Sequence, residues 1–201
     1  MIKATIFDAD GMVIQAGERF STRLVREFGI SPDPVATFFK NEFQQCLIGE
    51  ADLRDELTKR IVVWGWEGSV DDILAYWFSG ESTTDNRIIE AIQKLRACGV
   101  RCYLGTNQEK YRTEYFKHEM GFATLFDGVF SSAYIGAKKP SQEFFGHILN
   151  ALQPINKEEV FFWDDTRENV DVARDFGFQS ALYTSYDDFT KTHTALYREE
   201  I

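Results

Sequence analysis

The spacing of apolar and polar positions along the chain predicts short strands and amphipathic helices. Residues 3–7 form an apolar run that ends at Asp8, and a run this short is typical of a buried strand. The chain that follows has apolar side chains at every third or fourth position, which predicts helices with no strand between them. Four such helices are predicted, over residues 18–28, 35–47, 51–63 and 70–79.

After Gly80 the pattern changes to strands and helices in alternation. The strands are predicted at 100–105, 128–131, 160–163 and 179–183, and the helices at 85–97, 109–119, 141–151 and just before Gly177. Continuously apolar strands that alternate with helices indicate a parallel sheet covered on both faces. We therefore expect an α/β, Rossmann-like core from residues 1–15 and 82–201 and a small α-helical cap from residues 16–81. The polar tail, 186–201, is expected to form a peripheral helix.

Polar segments follow four of the predicted strands, and three of them stand at the point where the strand ends. The four segments are Asp8-Ala-Asp10-Gly11, Thr106-Asn107, Lys138-Lys139-Pro140 and Asp164-Asp165. Ligands of parallel α/β sheets bind at the carboxyl ends of the strands. We therefore expect these segments to share one crevice.

The chemistry that suits this set of residues is phosphoryl transfer. Asp8 is placed to act as a carboxylate nucleophile, and Asp10 to protonate the leaving alcohol and then activate water. Magnesium (Mg²⁺) prefers oxygen ligands, and Asp8, the backbone carbonyl of Asp10 and Asp165 could hold it. The remaining groups would bind phosphate oxygens: the Thr106 hydroxyl, the Asn107 amide (side chain or backbone) and the Lys139 ammonium.

The four segments, in this order, resemble those of the haloacid dehalogenase superfamily of phosphohydrolases. The resemblance covers nearly the whole chain and implies that Asp8 is the nucleophile, Asp10 the acid and base, and magnesium the cofactor. Thr106 and Lys139 would bind phosphate. The family pattern places its metal-ligating acid twelve residues before a glycine. The resemblance therefore implies that Asp165, twelve residues before Gly177, is the direct metal ligand, and that Asp164 is the neighbouring acid that also reaches the metal, directly or through water. The cap resembles that of the branch with sugar-phosphate phosphatases, so sugar phosphates are the first substrates that the resemblance suggests.

Composition narrows the possible partners. The net charge is −10, which disfavours nucleic acid and anionic membranes. No apolar run approaches the ~20 residues that cross a bilayer, and three cysteines without a pair pattern argue against a disulfide framework. We therefore expect a cytoplasmic protein, a monomer or small homo-oligomer, that acts on a small phosphorylated metabolite.

Other interpretations remain open at this point. A phosphomutase would use the same groups, a 2-haloacid dehalogenase would need neither Asp10 nor magnesium, and a binding protein could retain the fold without turnover. Lys139 is preferred to Lys138 because it directly precedes Pro140. The aromatic residues of the cap, Arg19 and Arg54 could contact substrate or serve the cap alone, and Trp163 could crowd the strand end or pack beneath it.

Overall fold

The structure, a computed structural model, describes residues 1–197 and has a five-stranded parallel sheet at its centre. The strands are β1 (Ala4–Phe7), β2 (Arg101–Thr106), β3 (Gly128–Ser131), β4 (Val160–Asp164) and β5 (Gln179–Leu182). Their order is β3-β2-β1-β4-β5, and every adjacent pair is parallel. The predicted α/β, Rossmann-like fold is therefore confirmed.

Helices cover both faces of this sheet. The helices around the sheet are numbered after the five helices of the cap region, which are described below. They are α6 (Asn86–Ala97), α7 (Lys110–His118), α8 (Phe122–Leu125), α9 (Ser132–Ile135), α10 (Gln142–Ala151), α11 (Arg167–Phe176) and α12 (Tyr186–Tyr197). Successive strand residues point to opposite faces, so Phe7 joins one buried apolar cluster and Ile6 another. The sequence did not predict α8 and α9, because four residues are too few to show a helical period.

Five helices between β1 and α6 form the predicted cap region. They are α1 (Phe20–Phe28), α2 (Pro32–Lys40), α3 (Glu42–Leu47), α4 (Leu53–Trp64) and α5 (Val70–Gly80). The buried residues of these helices form one apolar cluster, and Tyr115 of α7 packs against both this cluster and one of the two clusters on the sheet. The boundaries at residues 16 and 81 stay a prediction.

The single helix predicted over residues 35–47 is wrong, because the chain leaves the helical conformation at Asn41. Asn41 has φ −114° and ψ −83°, and separates α2 from α3. Helix α2 also begins earlier than predicted, at Pro32, a residue that the first turn of a helix tolerates well. The periodicity continued through the break because both helices bury apolar residues in the same cap cluster, for example Phe38 and Cys46.

The helix predicted at the carboxyl end is present over the described residues as α12, and it packs against the sheet through a few of its side chains. Helix α12 buries Phe189 completely and His193 almost completely. The Phe189 ring lies 6.5 Å from that of Phe7 and 5.0 Å from that of Trp163, centroid to centroid. The helix therefore covers one face of the sheet, and Trp163 packs beneath the strand end. Residues 198–201 of the predicted tail lie outside the described part of the chain.

Two connecting segments of the chain join the cap helices to the sheet. The Gln15 amide donates to the carbonyl of Thr83 (2.8 Å), and the Asp85 amide donates to the carbonyl of Val13 (3.0 Å). The two connections therefore run side by side next to the end of β1. Within residues 1–197, no helix combines the length and the apolar character that crossing a bilayer requires.

Candidate active site

The four polar segments meet at the carboxyl edge of the sheet. Asp8 follows β1, while Thr106 and Asp164 are the last residues of β2 and β4, which lie on either side of β1. A cleft of about 1240 Å³ opens between this edge and the cap. Site residues that line it are Asp8, Asp10, Thr106, Asn107, Lys139 and Asp165.

Lys139 is buried at the centre of the site. Its Nζ donates to Asp8 Oδ1 (2.7 Å), Asp164 Oδ2 (2.6 Å) and the Gly105 carbonyl (2.9 Å). Burial opposes the charge, but the two carboxylates outweigh it and raise the pKa of Lys139. The neighbouring Lys138 instead donates to Gln44 of α3 (2.5 Å), so Lys139 is the lysine that reaches Asp8.

Asp8 is almost fully buried, and one of its carboxylate oxygens accepts hydrogen bonds from other groups of the protein. Its Oδ1 accepts from the Ala9 amide (2.7 Å) and from Lys139, whereas its Oδ2 accepts no hydrogen bond within residues 1–197. Burial raises the pKa of Asp8 to about 7; Lys139 lowers it and the Asp164 carboxylate raises it. One oxygen of the expected nucleophile is thus held in place and the other is open to a ligand.

The acids at this edge form a group that could hold a metal ion. Oxygen atoms of Asp8, Asp164 and Asp165 lie within 4.8 Å of one another. Burial and the Asp164 carboxylate raise the pKa of Asp165, since one lysine does not balance three acids. A divalent cation would supply the missing positive charge, and a donor set made only of oxygen suits magnesium. The residues present therefore fit the cofactor that the sequence predicts.

Asp165 lies directly against Gly11, in the segment that follows β1. Gly11 has φ +86°, and a Cβ atom at this position would lie 2.0 Å from Asp165 Oδ2. Glycine is therefore required here both for the backbone conformation and for the approach of Asp165 to the Asp10–Gly11 segment.

Asp164 has both of its carboxylate oxygens engaged. Its Oδ2 accepts from Lys139, and its Oδ1 accepts from the Thr166 amide (2.9 Å) and from Asn169 Nδ2 (2.9 Å). The geometry makes Asp164 an anchor for Lys139 and leaves Asp165 as the more available metal ligand. Asn169 was not among the predicted site residues, although its place in the first turn of the helix after Asp164-Asp165 is a signal that could have identified it.

Asp10 is held by two residues that were not among the predicted site residues. Arg112 binds its carboxylate through two nitrogens, Nη2 to Oδ1 (2.8 Å) and Nη1 to Oδ2 (3.1 Å). Gln108 Nε2 donates to Oδ2 as well (2.6 Å). Arg112 is only 4% exposed. In the sequence it looks like a solvated surface residue, because helix α7 is rich in charged side chains. Only its three-dimensional partner distinguishes it from the other charged residues of α7.

The side chain of Asn107 is occupied by the backbone of the Lys139 segment. Asn107 Nδ2 donates to the Lys139 carbonyl (2.9 Å), and the Lys139 amide donates to Asn107 Oδ1 (2.8 Å). This pair ties the segment after β2 to the segment that carries Lys139. Of the two Asn107 groups considered for phosphate binding, the backbone amide is therefore the better candidate.

The cap contributes aromatic side chains to the cleft. Phe20, Phe39, Phe43 and Trp77 line it, together with Arg19. Arg54 is elsewhere: it pairs with Asp71 (2.7 Å) on the neighbouring cap helix. The aromatic residues thus serve both the cap cluster and the wall of the cleft.

Comparisons with known proteins agree with this architecture. The family model for haloacid dehalogenase-like hydrolases matches residues 2–177. A curated sesquiterpene phosphatase of Aspergillus oryzae is 28% identical over 179 residues, which are 87% of this chain and 86% of that protein.

Solved structures share the fold. A haloacid dehalogenase family enzyme of Bacteroides thetaiotaomicron, in complex with magnesium and inorganic phosphate, superposes with a TM-score of 0.82 at 20% identity, over 96% of this chain and 99% of that one. The L-2-haloacid dehalogenase of Xanthobacter autotrophicus superposes with a TM-score of 0.65 at 18% identity, over 100% of this chain and 85% of that one.

Proposed function

We propose a function from the premise that this chain belongs to the haloacid dehalogenase-like hydrolases and is an enzyme. It hydrolyses the phosphate monoester of a small molecule through an aspartyl-phosphate on Asp8, with magnesium as its cofactor. The observation that carries the proposal is the convergence of Asp8, Lys139 and Asp165 at one edge of the sheet, beside Asp10. The cleft above them gives a substrate access to Asp8.

In the first step, a carboxylate oxygen of Asp8 attacks the phosphorus atom. A bond forms between this oxygen and phosphorus, the ester P–O bond breaks, and the leaving oxygen takes its proton from the Asp10 carboxyl group. Lys139, buried against Asp8, offsets negative charge while the bond forms. Arg112 and Gln108 keep the Asp10 carboxyl group in one orientation, and the Asp10 oxygen that carries the proton must exchange a hydrogen bond from one of them for a hydrogen bond to the leaving oxygen.

In the second step, water attacks the phosphorus atom of the aspartyl-phosphate. Asp10, now a carboxylate, accepts the proton of this water, and the bond between phosphorus and the Asp8 oxygen breaks. Inorganic phosphate leaves and Asp8 returns to its starting form. The same side chain therefore serves as acid and then as base, as microscopic reversibility allows.

Four groups would hold the magnesium ion: the carboxylates of Asp8 and Asp165, the Asp10 backbone carbonyl and, directly or through water, Asp164. When bound, the ion supplies positive charge that neutralises the phosphate oxygens and the acid cluster. The loop after β1 supports this role, since its internal bonds use the carbonyls of Ala9 and Ile14 and not that of Asp10.

The relatives support a phosphatase over the alternative reactions. One relative is named a sesquiterpene phosphatase, and a structural neighbour was crystallised with magnesium and inorganic phosphate. A dehalogenase would have no use for Asp10, which this protein holds with three hydrogen bonds. A phosphomutase would use the same groups, and the products distinguish it from a hydrolase.

The decisive experiment measures free phosphate released from a panel of phosphate monoesters. We expect release that stops in a chelator and returns with magnesium. Asp8→Asn should lower the rate by at least about 10³-fold with the fold retained, because an amide is a poor nucleophile. Asp33→Asn, an exposed change of the same kind in the cap, serves as the control.

Hydroxylamine should trap the aspartyl-phosphate in the wild-type protein and not in the Asp8→Asn variant. An isomeric phosphate ester without free phosphate would identify a mutase. Undiminished phosphatase activity in Asp8→Asn would rule out the proposed nucleophile.

A further inference from the structure

The cleft that begins at Asp8 continues into the cap along a wall of aromatic rings. Phe20 stacks on Trp77 with ring centroids 4.5 Å apart and an interplanar angle of 12°. Phe39 lies 5.4 Å from Trp77, and Phe43 lies 5.3 Å from Trp77 and 5.1 Å from Phe39. All four rings line the same cleft as the acid cluster.

This wall is only partly covered by the protein. Phe20 and Trp77 are buried, whereas Phe39 and Phe43 are half-buried at the cleft. Aliphatic residues extend the same lining: Val25, Pro32, Val35 and Ala36. Apolar surface left in contact with water is costly, and an apolar group that entered the cleft would cover it.

Several polar groups along the cleft already have partners within the protein. Gln44 donates to the Phe39 carbonyl (2.8 Å) and accepts from Lys138, while Arg26 pairs with Glu18 (2.8 Å). Gln44 and Arg26 are therefore not free to bind the hydroxyl groups of a sugar. The other polar side chains on this side of the cleft are half-buried or exposed to solvent: Arg19, Ser21, Thr22 and Lys40.

We propose that the cap side of this cleft binds the hydrocarbon part of the substrate, so that the enzyme prefers phosphate monoesters of apolar alcohols to sugar phosphates. The inference rests on the proposed phosphatase function, because Asp8 must hold the phosphate at the other end. The Phe39 and Phe43 rings contact the hydrocarbon, and Phe20 and Trp77 support them from behind.

The test is kcat/KM for straight-chain alkyl phosphates from ethyl to octyl, below the concentrations at which they form micelles, with glucose 6-phosphate as the polar comparison. Each methylene that the wall covers should raise kcat/KM by up to about fourfold. Octyl phosphate should therefore exceed both ethyl phosphate and glucose 6-phosphate. A flat or falling series, or a preference for glucose 6-phosphate, would overturn the proposal.

Variants of the wall refine the test. Phe39→Ala and Phe43→Ala should each lower the ratio of octyl to ethyl kcat/KM by at least about fivefold, because the chain loses part of its apolar contact. Phe28→Ala truncates an exposed cap ring that does not line the cleft, and should leave the ratio unchanged. An unchanged ratio in both wall variants would contradict the proposal that the wall binds the hydrocarbon. If a variant does not fold, the wild-type series of alkyl phosphates tests the proposal by itself.

The outcomes also separate this inference from the proposed function. Hydrolysis that depends on Asp8 but not on chain length would overturn the apolar substrate class and leave the phosphatase intact. Failure to release phosphate from every ester, glucose 6-phosphate included, would overturn both.

Discussion

Asp10 has a more constrained position than its place in a glycine-containing loop suggests. Arg112 reaches it from α7 across 102 residues of sequence and also donates to the Glu81 carbonyl (2.9 Å), in the chain that leads from the cap. A guanidinium that binds both oxygens of a carboxylate fixes its plane as well as its position. Arg112 is therefore a positioning residue, which acts through Asp10.

Replacing Arg112 should affect the step that needs a proton. In Arg112→Lys, one ammonium cannot reproduce the two parallel hydrogen bonds, so kcat/KM for an alkyl phosphate should fall by about 10- to 100-fold. 4-Nitrophenyl phosphate has a leaving group that needs no proton, so its kcat/KM should fall much less. The measurement is the comparison of kcat/KM for the two substrates, because kcat/KM reports the transfer to Asp8 and not the hydrolysis step that both substrates share.

Arg96→Lys provides the matched control, since Arg96 forms a similar two-nitrogen pair with Asp127 away from the site. It should leave both kcat/KM values near those of the wild type. An equal loss for both substrates in Arg112→Lys would mean that Arg112 supports the fold and does not orient Asp10.

At the scale of single elements, α7 begins with an unusual cap. Glu109 accepts from the amides of Tyr111 (2.7 Å) and Arg112 (2.5 Å), yet it is 2% exposed. Burial raises the pKa of Glu109 from 4.5 to about 7, although the two amides and the Arg112 charge lower it. The helix that carries Arg112 therefore starts at a carboxyl group that resists ionisation.

This shift makes stability depend on pH. Between about pH 4.5 and about pH 7 the folded protein keeps a proton that the unfolded chain has lost, so stability falls as pH rises through this window. Glu109→Gln removes the titration. From about pH 5.5 to about pH 8, the variant should gain about 2 kcal/mol of unfolding free energy relative to the wild type.

Denaturant titrations at both pH values measure this difference, with Glu90→Gln, an exposed change on α6, as the control. The lost carboxylate cap lowers the stability of the variant at both pH values. For this reason the change with pH is the readout. A wild-type-to-variant difference that stays constant would show that Glu109 ionises in the folded protein as it does in the unfolded chain.

At the scale of the whole molecule, the position of the cap relative to the sheet determines the shape of the cleft. Gly49, at the end of α3, lies against the carbonyl of Ala133 in α9, and a Cβ atom there would be 2.3 Å from that oxygen. Tyr111 also donates to Asp52 at the start of α4 (2.8 Å). These contacts set the distance between the aromatic wall and Asp8.

Gly49→Ala should therefore displace the cap and lower kcat/KM. Gly65→Ala is the control, because Gly65 has a similar backbone (φ +71° against φ +75°) but no atom of residues 1–197 would lie within 4 Å of an added Cβ. Both variants should lose about 1–2 kcal/mol of unfolding free energy, because alanine is strained in the left-handed conformation. Only Gly49→Ala should also lose activity, by about tenfold or more, since it alone moves the cleft.

Thermal melting measures the strain shared by the two variants, and steady-state kinetics measures the difference between them. Equal kcat/KM values in Gly49→Ala and Gly65→Ala would show that the contact with Ala133 does not control the cleft.

The sequence by itself determined the sheet and the position of its polar edge. Apolar runs that end abruptly in acids or a threonine are local patterns, and a parallel sheet necessarily gathers such strand ends at one edge. Asp8, Asp10, Thr106, Lys139 and Asp165 could therefore be selected before any coordinates. Their chemical roles stay predictions that the experiments above test.

The tertiary structure alone decided which side chains hold these groups. The break at Asn41 and the burial of Phe189 depend on what the helices pack against, which a periodic pattern does not encode. The pairing of Arg112 with Asp10, and that of the Asn107 side chain with the Lys139 backbone, joins residues far apart in the chain. Such partners become visible only when packing brings the segments together, because a charge or an amide has the same sequence signature whether it is solvated or buried.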